Sequence, residues 1–153
     1  MENKELLKVC EVKLTYQSKI KASERYHIST SEDAYKVLKG CYDESTLQYR
    51  ETFKILLINQ ASKVLGVSNI SEGGITETGA DVRLILQAAL LGNATGIILS
   101  HNHPSGNIFP SAIDKALTSR IIKAAELVNI RVLDHIIITS DTFYSFSDEG
   151  MLI

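Results

Sequence analysis

The stretch that decides the fold is "LSHNHPSGNIFPSAIDKAL", residues 99–117, in which His101 and His103 stand one residue apart. The apolar run "GIIL" at 96–99 precedes them and predicts a buried strand that ends at Ser100. Side chains two positions apart in an extended segment point to the same face. We therefore expect the two imidazoles to converge where the strand ends.

A turn and then a helix are predicted after the histidines. Residues 104–106, "PSG", favour a turn, and Ser111 to Asp114 favour the start of a helix. A serine N-cap and an acid in the first turn stabilise any helix, so this pair has an ordinary structural explanation. The pair also fits a metal site, because two imidazoles and one carboxylate commonly hold catalytic zinc, with water in the fourth position. The two roles are compatible, and His101, His103 and Asp114 are our candidate metal ligands.

Length and composition limit the class of protein. A chain of 153 residues with 44% hydrophobic and 22% charged residues is typical of one soluble globular domain. A net charge of −2 argues against a strongly basic surface for nucleic acid. The charged start has no apolar signal-peptide core, no apolar run is long enough to span a membrane, and two cysteines are too few for a disulfide framework. We expect a cytoplasmic protein.

Apolar periodicity predicts the other elements of an α/β, or α+β, domain. Strands are predicted at 8–16, 51–58, 63–70, 131–139 and 143–146, and helices at 30–38, at 81–91 and from Ser111 onward. The apolar face of the last helix is predicted to hold Ile113, Leu117, Ile121, Ala124 and Val128. The alternation of strands and helices implies a mixed sheet covered by helices.

Several runs resemble the RadC-like branch of the JAMM/MPN metalloprotease-like domains. The family pattern is His-x-His, seven residues, Ser, two residues and Asp, and this chain matches it from His101 to Asp114. The resemblance covers residues 47–153, with residues 1–46 as an N-terminal strand and helix of the same domain. Its other carriers are "EGGITET" at 72–78, "AALLGNATGIIL" at 88–99, "LDHIIIT" at 133–139 and "FYSFSDEG" at 143–150.

The resemblance implies a curved mixed sheet flanked by helices, related to the cytidine-deaminase-like architecture, and a bound Zn2+. It places the upstream acid of the family at Glu51, in "YRETFKILLIN" at 49–59, as the general base. A solvated acid at a strand end is the other explanation of Glu51. By the same resemblance Ser111 would donate a hydrogen bond to the developing oxyanion. His135 is expected to be a structural histidine rather than a fourth ligand.

Three functions are compatible with these residues. The first is zinc-dependent hydrolysis of a peptide or isopeptide-linked protein substrate. The second is an accessory role in DNA repair or mobile elements, on or near nucleic acid. The net charge and the lack of a helix-hairpin-helix resemblance before residue 47 weigh against it. The third is a non-catalytic interaction module stabilised by metal. A deaminase is disfavoured because the chain has no C-x-x-C pair for zinc.

Overall fold

The computed structural model describes residues 8–73 and 79–153, which contain five strands and three α-helices. The strands are β1 (Thr52–Ile58), β2 (Val64–Glu72), β3 (Gly96–Asn102), β4 (Arg131–Ile138) and β5 (Phe143–Ser145). The helices are α1 (Ser31–Cys41), α2 (Val82–Leu91) and α3 (Ala112–Glu126), and a short 3-10 turn covers Ala22–Glu24. The predicted α/β class is confirmed.

One mixed sheet holds all five strands, in the order β2-β1-β3-β4-β5. Strand β1 runs antiparallel to β2 and to β3, β3 runs parallel to β4, and β4 runs antiparallel to β5. A parallel pair needs a long crossover connection, and α3 supplies it between β3 and β4. Strand β3 is central, and all seven of its residues are buried.

Each face of the sheet has its own apolar core, because successive strand residues point to opposite sides. Odd-numbered positions of β1 and β3, such as Ile55 and Leu99, pack with the buried residues of α2 and α3. Even-numbered positions, such as Leu56 and Ile98, pack with α1. This alternation decides where the candidate site lies, since His101 continues the row of Leu99 on the face of α2 and α3.

Several boundaries differ from the sequence prediction. Helix α1 continues through Gly40 to Cys41, because Gly40 does not adopt the left-handed, positive-φ conformation with which glycine commonly ends a helix. Strand β3 extends to Asn102, two residues beyond the predicted end, because its pairing continues with β1 to His101 and with β4 to Asn102. Strand β5 ends at Ser145 instead of Phe146. The buried face of α3 consists of Thr118, Ile121 and Ala125, whereas the predicted Ile113 and Val128 are exposed.

The predicted first strand at 8–16 is wrong. These residues form neither helix nor strand, and Val12 and Leu14 are 83% and 81% exposed. Alternation of apolar and polar residues describes how a strand would orient its side chains, but a strand also needs a neighbour to pair with. Residues 74–78 of the "EGGITET" run lie outside the described residues. Among the helices described, none has the length and apolar character needed to cross a bilayer.

Candidate metal centre

The two histidines of the H-x-H motif converge as their spacing predicts. His101 lies in β3 and is 2% exposed, and His103 follows the strand end with a side chain that is 15% exposed. Their Nε2 atoms are 2.9 Å apart. The turn predicted at "PSG" is present, since the Gly106 N–H donates to the His103 carbonyl at 3.1 Å and Gly106 has a positive φ of 84°. The turn directs the chain away from the sheet and toward α3.

Asp114 reaches the same point from the first turn of α3. Its Oδ1 lies 3.2 Å from His101 Nε2 and its Oδ2 lies 3.3 Å from His103 Nε2. The helix start holds this carboxylate in place through a capping box. Ser111 Oγ accepts from the Asp114 N–H at 3.1 Å, and Asp114 Oδ2 accepts from the Ser111 N–H at 2.7 Å. The Asp114 carboxylate is therefore both a member of the capping box and a candidate metal ligand.

The donor set of this cluster fits a metal ion. His101, His103 and Asp114 each offer one ligand atom, all within 4.8 Å of one another. Ligand atoms about 2.0–2.2 Å from a tetrahedral zinc ion stand about 3.3–3.6 Å apart, close to the separations found here. His103 Nδ1 lies 2.6 Å from the Asn107 carbonyl oxygen, which can only accept a hydrogen bond. Nδ1 therefore carries the proton, and a neutral His103 has a free Nε2 lone pair for a metal.

Opposite charge stabilises the ionised form of the carboxylate at this site. Burial by itself raises the pKa of Asp114, but hydrogen bonds with His101 and His103 outweigh it and hold the pKa far below its usual value. Burial lowers the pKa of His103, and hydrogen bonds to Asp114 and Asn107 more than reverse this, so the pKa lies above its usual value. The charge of Glu51 adds to this upward shift. An ionised carboxylate is the form that binds a metal.

Glu51 lies beside the cluster, immediately before β1. The antiparallel register pairs Phe53 with His101, and Glu51 is close enough to His103 for its charge to raise the pKa of that histidine. Glu51 is 8% exposed, and its carbonyl accepts from the Gly73 N–H at 2.9 Å. It is therefore a buried acid next to the candidate ligands, and the solvated strand-end acid that was its other explanation is wrong.

Asn102, the middle residue of H-x-H, has a role that the sequence analysis missed. Its side chain is 1% exposed and points to the opposite face of the sheet from the ligand histidines. Its Oδ1 accepts from the Thr52 N–H at 2.7 Å, and its Nδ2 donates to the carbonyls of Leu47 and Arg50, both at 2.8 Å. Arg50 and Thr52 flank Glu51, so Asn102 fixes the backbone that carries this acid. Strand alternation was the signal that its side chain faces away from the ligands.

His135 contacts the candidate ligand His101 from the neighbouring strand β4. His135 lies within β4 and is fully buried, and its Nε2 is 2.8 Å from His101 Nδ1. Its ring stacks on Phe146 with centroids 4.6 Å apart. Burial holds the pKa of His135 well below its usual value, so the ring is neutral. Among the described residues His135 is not part of the ligand group, in keeping with the structural role expected of it.

Ser111 is exposed at the N-terminus of α3, between the loop and Asp114. In the capping box its Oγ uses a lone pair to accept from the Asp114 N–H. The hydroxyl proton is not used in that hydrogen bond. The same side chain can therefore cap the helix and donate to a substrate oxygen.

The chain is similar to one protein family and to several individual proteins. The family model of the RadC-like JAB domain matches residues 28–151. A UPF0758 protein of Flavobacterium johnsoniae is 42% identical over 124 residues, which are 81% of this chain and 53% of the relative. A UPF0758 protein of Porphyromonas gingivalis is 43% identical over 129 residues, which are 84% of this chain and 56% of the relative.

A third relative is the UPF0758 protein YfjY of Escherichia coli, which is 41% identical over 103 residues, 67% of this chain and 64% of the relative. The chain spans about half the length of the first two relatives, and the names of all three state no activity. The family model covers most of the chain, and its range includes the three candidate ligands and Glu51. The chain therefore belongs to the RadC-like JAB domain family.

Proposed function

We propose that this protein is a zinc-dependent hydrolase of peptide or isopeptide bonds. The observation that carries the proposal is the convergence of His101, His103 and Asp114 on one point, with the buried acid Glu51 beside them. Two imidazoles and a carboxylate leave one tetrahedral position open, which is typical of catalytic rather than structural zinc sites. Membership of a JAB-type family supports a metal-dependent hydrolase in general terms.

The chain's own residues would divide the work of amide hydrolysis. Zinc held by the three ligands would act as a Lewis acid on the carbonyl and on water. Glu51 would accept the proton of the attacking water on a carboxylate oxygen and then donate it to the leaving amine nitrogen. Ser111 would donate its hydroxyl hydrogen bond to the oxygen on which negative charge develops. Asn102 would hold the backbone on both sides of Glu51.

Metal content is the first test. We expect the purified protein to contain about one equivalent of zinc by elemental analysis, because one three-residue ligand group is present in the described part of the chain. His103→Ala should lose most of this zinc. The matched control is His27→Ala, since His27 bonds Ser29 and pairs with Lys63, residues outside the ligand group. A His103→Ala protein with full zinc content would show that these residues are not the ligands.

Hydrolysis is the second test. Glu51→Gln keeps the shape of the side chain and removes the base, so zinc content should persist while turnover falls by about two to four orders of magnitude. The substrates would be fluorogenic peptides and ε-lysyl isopeptides, with DNA oligonucleotides in parallel. Cleavage of DNA alone would favour a role on nucleic acid. A zinc-loaded protein that cleaves none of these substrates would favour a non-catalytic module. Either outcome would contradict the proposal.

A further inference from the structure

A continuous series of hydrogen bonds runs from α3 through β4 to the ligand His101. Thr118 Oγ1 donates to the Asp114 carbonyl oxygen at 2.7 Å and lies 2.6 Å from His135 Nδ1. His135 Nε2 lies 2.8 Å from His101 Nδ1. The three side chains are at most 2% exposed, so they exchange hydrogen bonds with one another rather than with solvent. Every proton in this series is therefore fixed by its neighbour.

The direction of each hydrogen bond in the series follows from the first one, between Thr118 and the Asp114 carbonyl. A carbonyl oxygen can only accept, so the one hydroxyl proton of Thr118 is committed to Asp114. Toward His135 the Thr118 oxygen must therefore accept, which places a proton on His135 Nδ1. A neutral His135 then has a bare Nε2, which must accept from His101.

The surroundings of His135 favour a neutral imidazole ring. The imidazole is fully buried, stacks on Phe146 at 4.6 Å and meets the edge of Phe53 at 5.7 Å. An apolar environment of this kind disfavours the charged form of an imidazole. With one proton only, His135 is a donor at one nitrogen and an acceptor at the other.

We propose that Thr118 and His135 are positioning residues that fix the tautomer of His101. They place its proton on Nδ1, and its Nε2 lone pair therefore points at His103 Nε2 and Asp114 Oδ1, where the metal would lie. A hydrogen-bonded partner behind a ligand histidine sets its orientation and basicity, and its loss typically costs about 10–100-fold in metal affinity. The inference rests on the metal site of the proposed function, and it does not require hydrolysis.

Both ligand histidines have their proton fixed on Nδ1, and this leaves both Nε2 atoms available to a cation. The Asn107 carbonyl fixes the His103 tautomer, and Thr118 fixes the His101 tautomer through His135. The two Nε2 atoms then face each other at 2.9 Å beside the Asp114 carboxylate, an arrangement that needs positive charge between them, either protons that hydrogen-bond to Asp114 or a metal ion. A metal ion can therefore replace those protons without any change at the Nδ1 atom of either ring.

The first measurement needs no mutation. Long-range nitrogen–proton NMR of the full, metal-free chain distinguishes the two neutral histidine tautomers. We expect His101 and His135 both to carry their proton on Nδ1. A metal-free His101 ring without a proton on Nδ1 would overturn the inference, because Nδ1 could then not donate to His135.

The second measurement is zinc affinity by competition with a chromophoric chelator. Thr118→Val keeps the shape of the side chain and removes the hydroxyl, whereas Thr118→Ser keeps the hydroxyl. We expect Thr118→Val to weaken zinc binding by about 10-fold or more and Thr118→Ser to stay within about 3-fold of the unsubstituted protein. Equal affinities of the two folded variants would overturn the proposed role, since packing alone would then explain Thr118.

A second pair of variants protects the test against a folding defect at position 118. Gln at position 135 can place an amide oxygen where His135 Nε2 accepts, whereas Leu has no acceptor there. His135→Gln should therefore bind zinc more tightly than His135→Leu, by about 10-fold. The reverse order would overturn the proposal. A protein that binds zinc but cleaves nothing contradicts the hydrolase function alone, and the tautomer and affinity measurements still decide this inference.

Discussion

In the proposed function, Ser111 performs two tasks with different parts of one hydroxyl group. Its oxygen accepts a hydrogen bond from the Asp114 N–H, and its proton would be donated to a substrate oxygen. Loss of an N-cap hydroxyl typically costs about 0.5–2 kcal/mol of stability, whereas loss of an oxyanion donor lowers turnover by about 100–1,000-fold. The two tasks can therefore be measured separately, by the free energy of unfolding and by the rate of hydrolysis.

For Ser111→Ala we expect both losses, with little change in zinc content. Ser111→Thr should restore stability, because threonine also caps helices, and should leave turnover low, because its methyl group crowds the site. Thr30→Ala is the matched control, since Thr30 forms the same capping box with Asp33 at α1. That variant should lose stability but keep its turnover. A fully active Ser111→Ala protein would reduce Ser111 to a helix cap.

At the scale of helices and strands, the pattern of the sequence was sufficient wherever an element is amphipathic and local. Strands β1 and β2, helix α2, and the strand–turn–helix that brings the candidate ligands together were predicted from the spacing of their residues. The contact between His135 and His101 was not predicted, because it depends on the parallel register of β3 and β4. That register pairs Leu99 with His135 across a long crossover. Local periodicity carries no information on such a register.

The junction of α2 with the sheet gives a prediction at this scale. A Cβ at Gly92 would clash with Leu57 Cδ1 and lie 3.0 Å from the Ala88 carbonyl oxygen. Gly92→Ala should therefore lower the free energy of unfolding by about 1–3 kcal/mol, as overpacking does. The control is Gly40→Ala in α1, where the space is open. That substitution should raise stability by about 0.5–1 kcal/mol, and chemical denaturation of both variants measures the difference.

At the scale of the whole molecule, the described chain divides into a sandwich of helices around the sheet and an exposed segment at 8–17. The sequence predicted the first part and failed on the second. Residues 8–16 alternate as a half-buried strand does, yet the structure leaves their apolar side chains in solvent. Amphipathic patterning is necessary for a strand in a sheet, but the position in the sheet comes from the rest of the molecule.

The exposure of residues 8–17 predicts that they contribute little to the free energy of unfolding. Val12→Ser combined with Leu14→Ser should change the free energy of unfolding by less than about 0.5 kcal/mol, because exposed side chains with few neighbours contribute little. Leu38→Ala, at a fully buried position of α1, should cost about 2–5 kcal/mol in the same denaturation experiment. A loss above 1 kcal/mol in the double variant would show that the segment packs against the fold in solution.

The hydrogen bonds of Asn102 connect two parts of the candidate site. They tie the strand that holds the candidate ligands to the backbone on both sides of Glu51. In the proposed function, these hydrogen bonds hold the proton acceptor Glu51 in place beside the ligand cluster, which would leave little reorganisation for the moment when a substrate enters. The spacing of the two histidines is constrained twice, because one residue more or less between them would turn an imidazole to the face of α1 and release the clamp on Glu51.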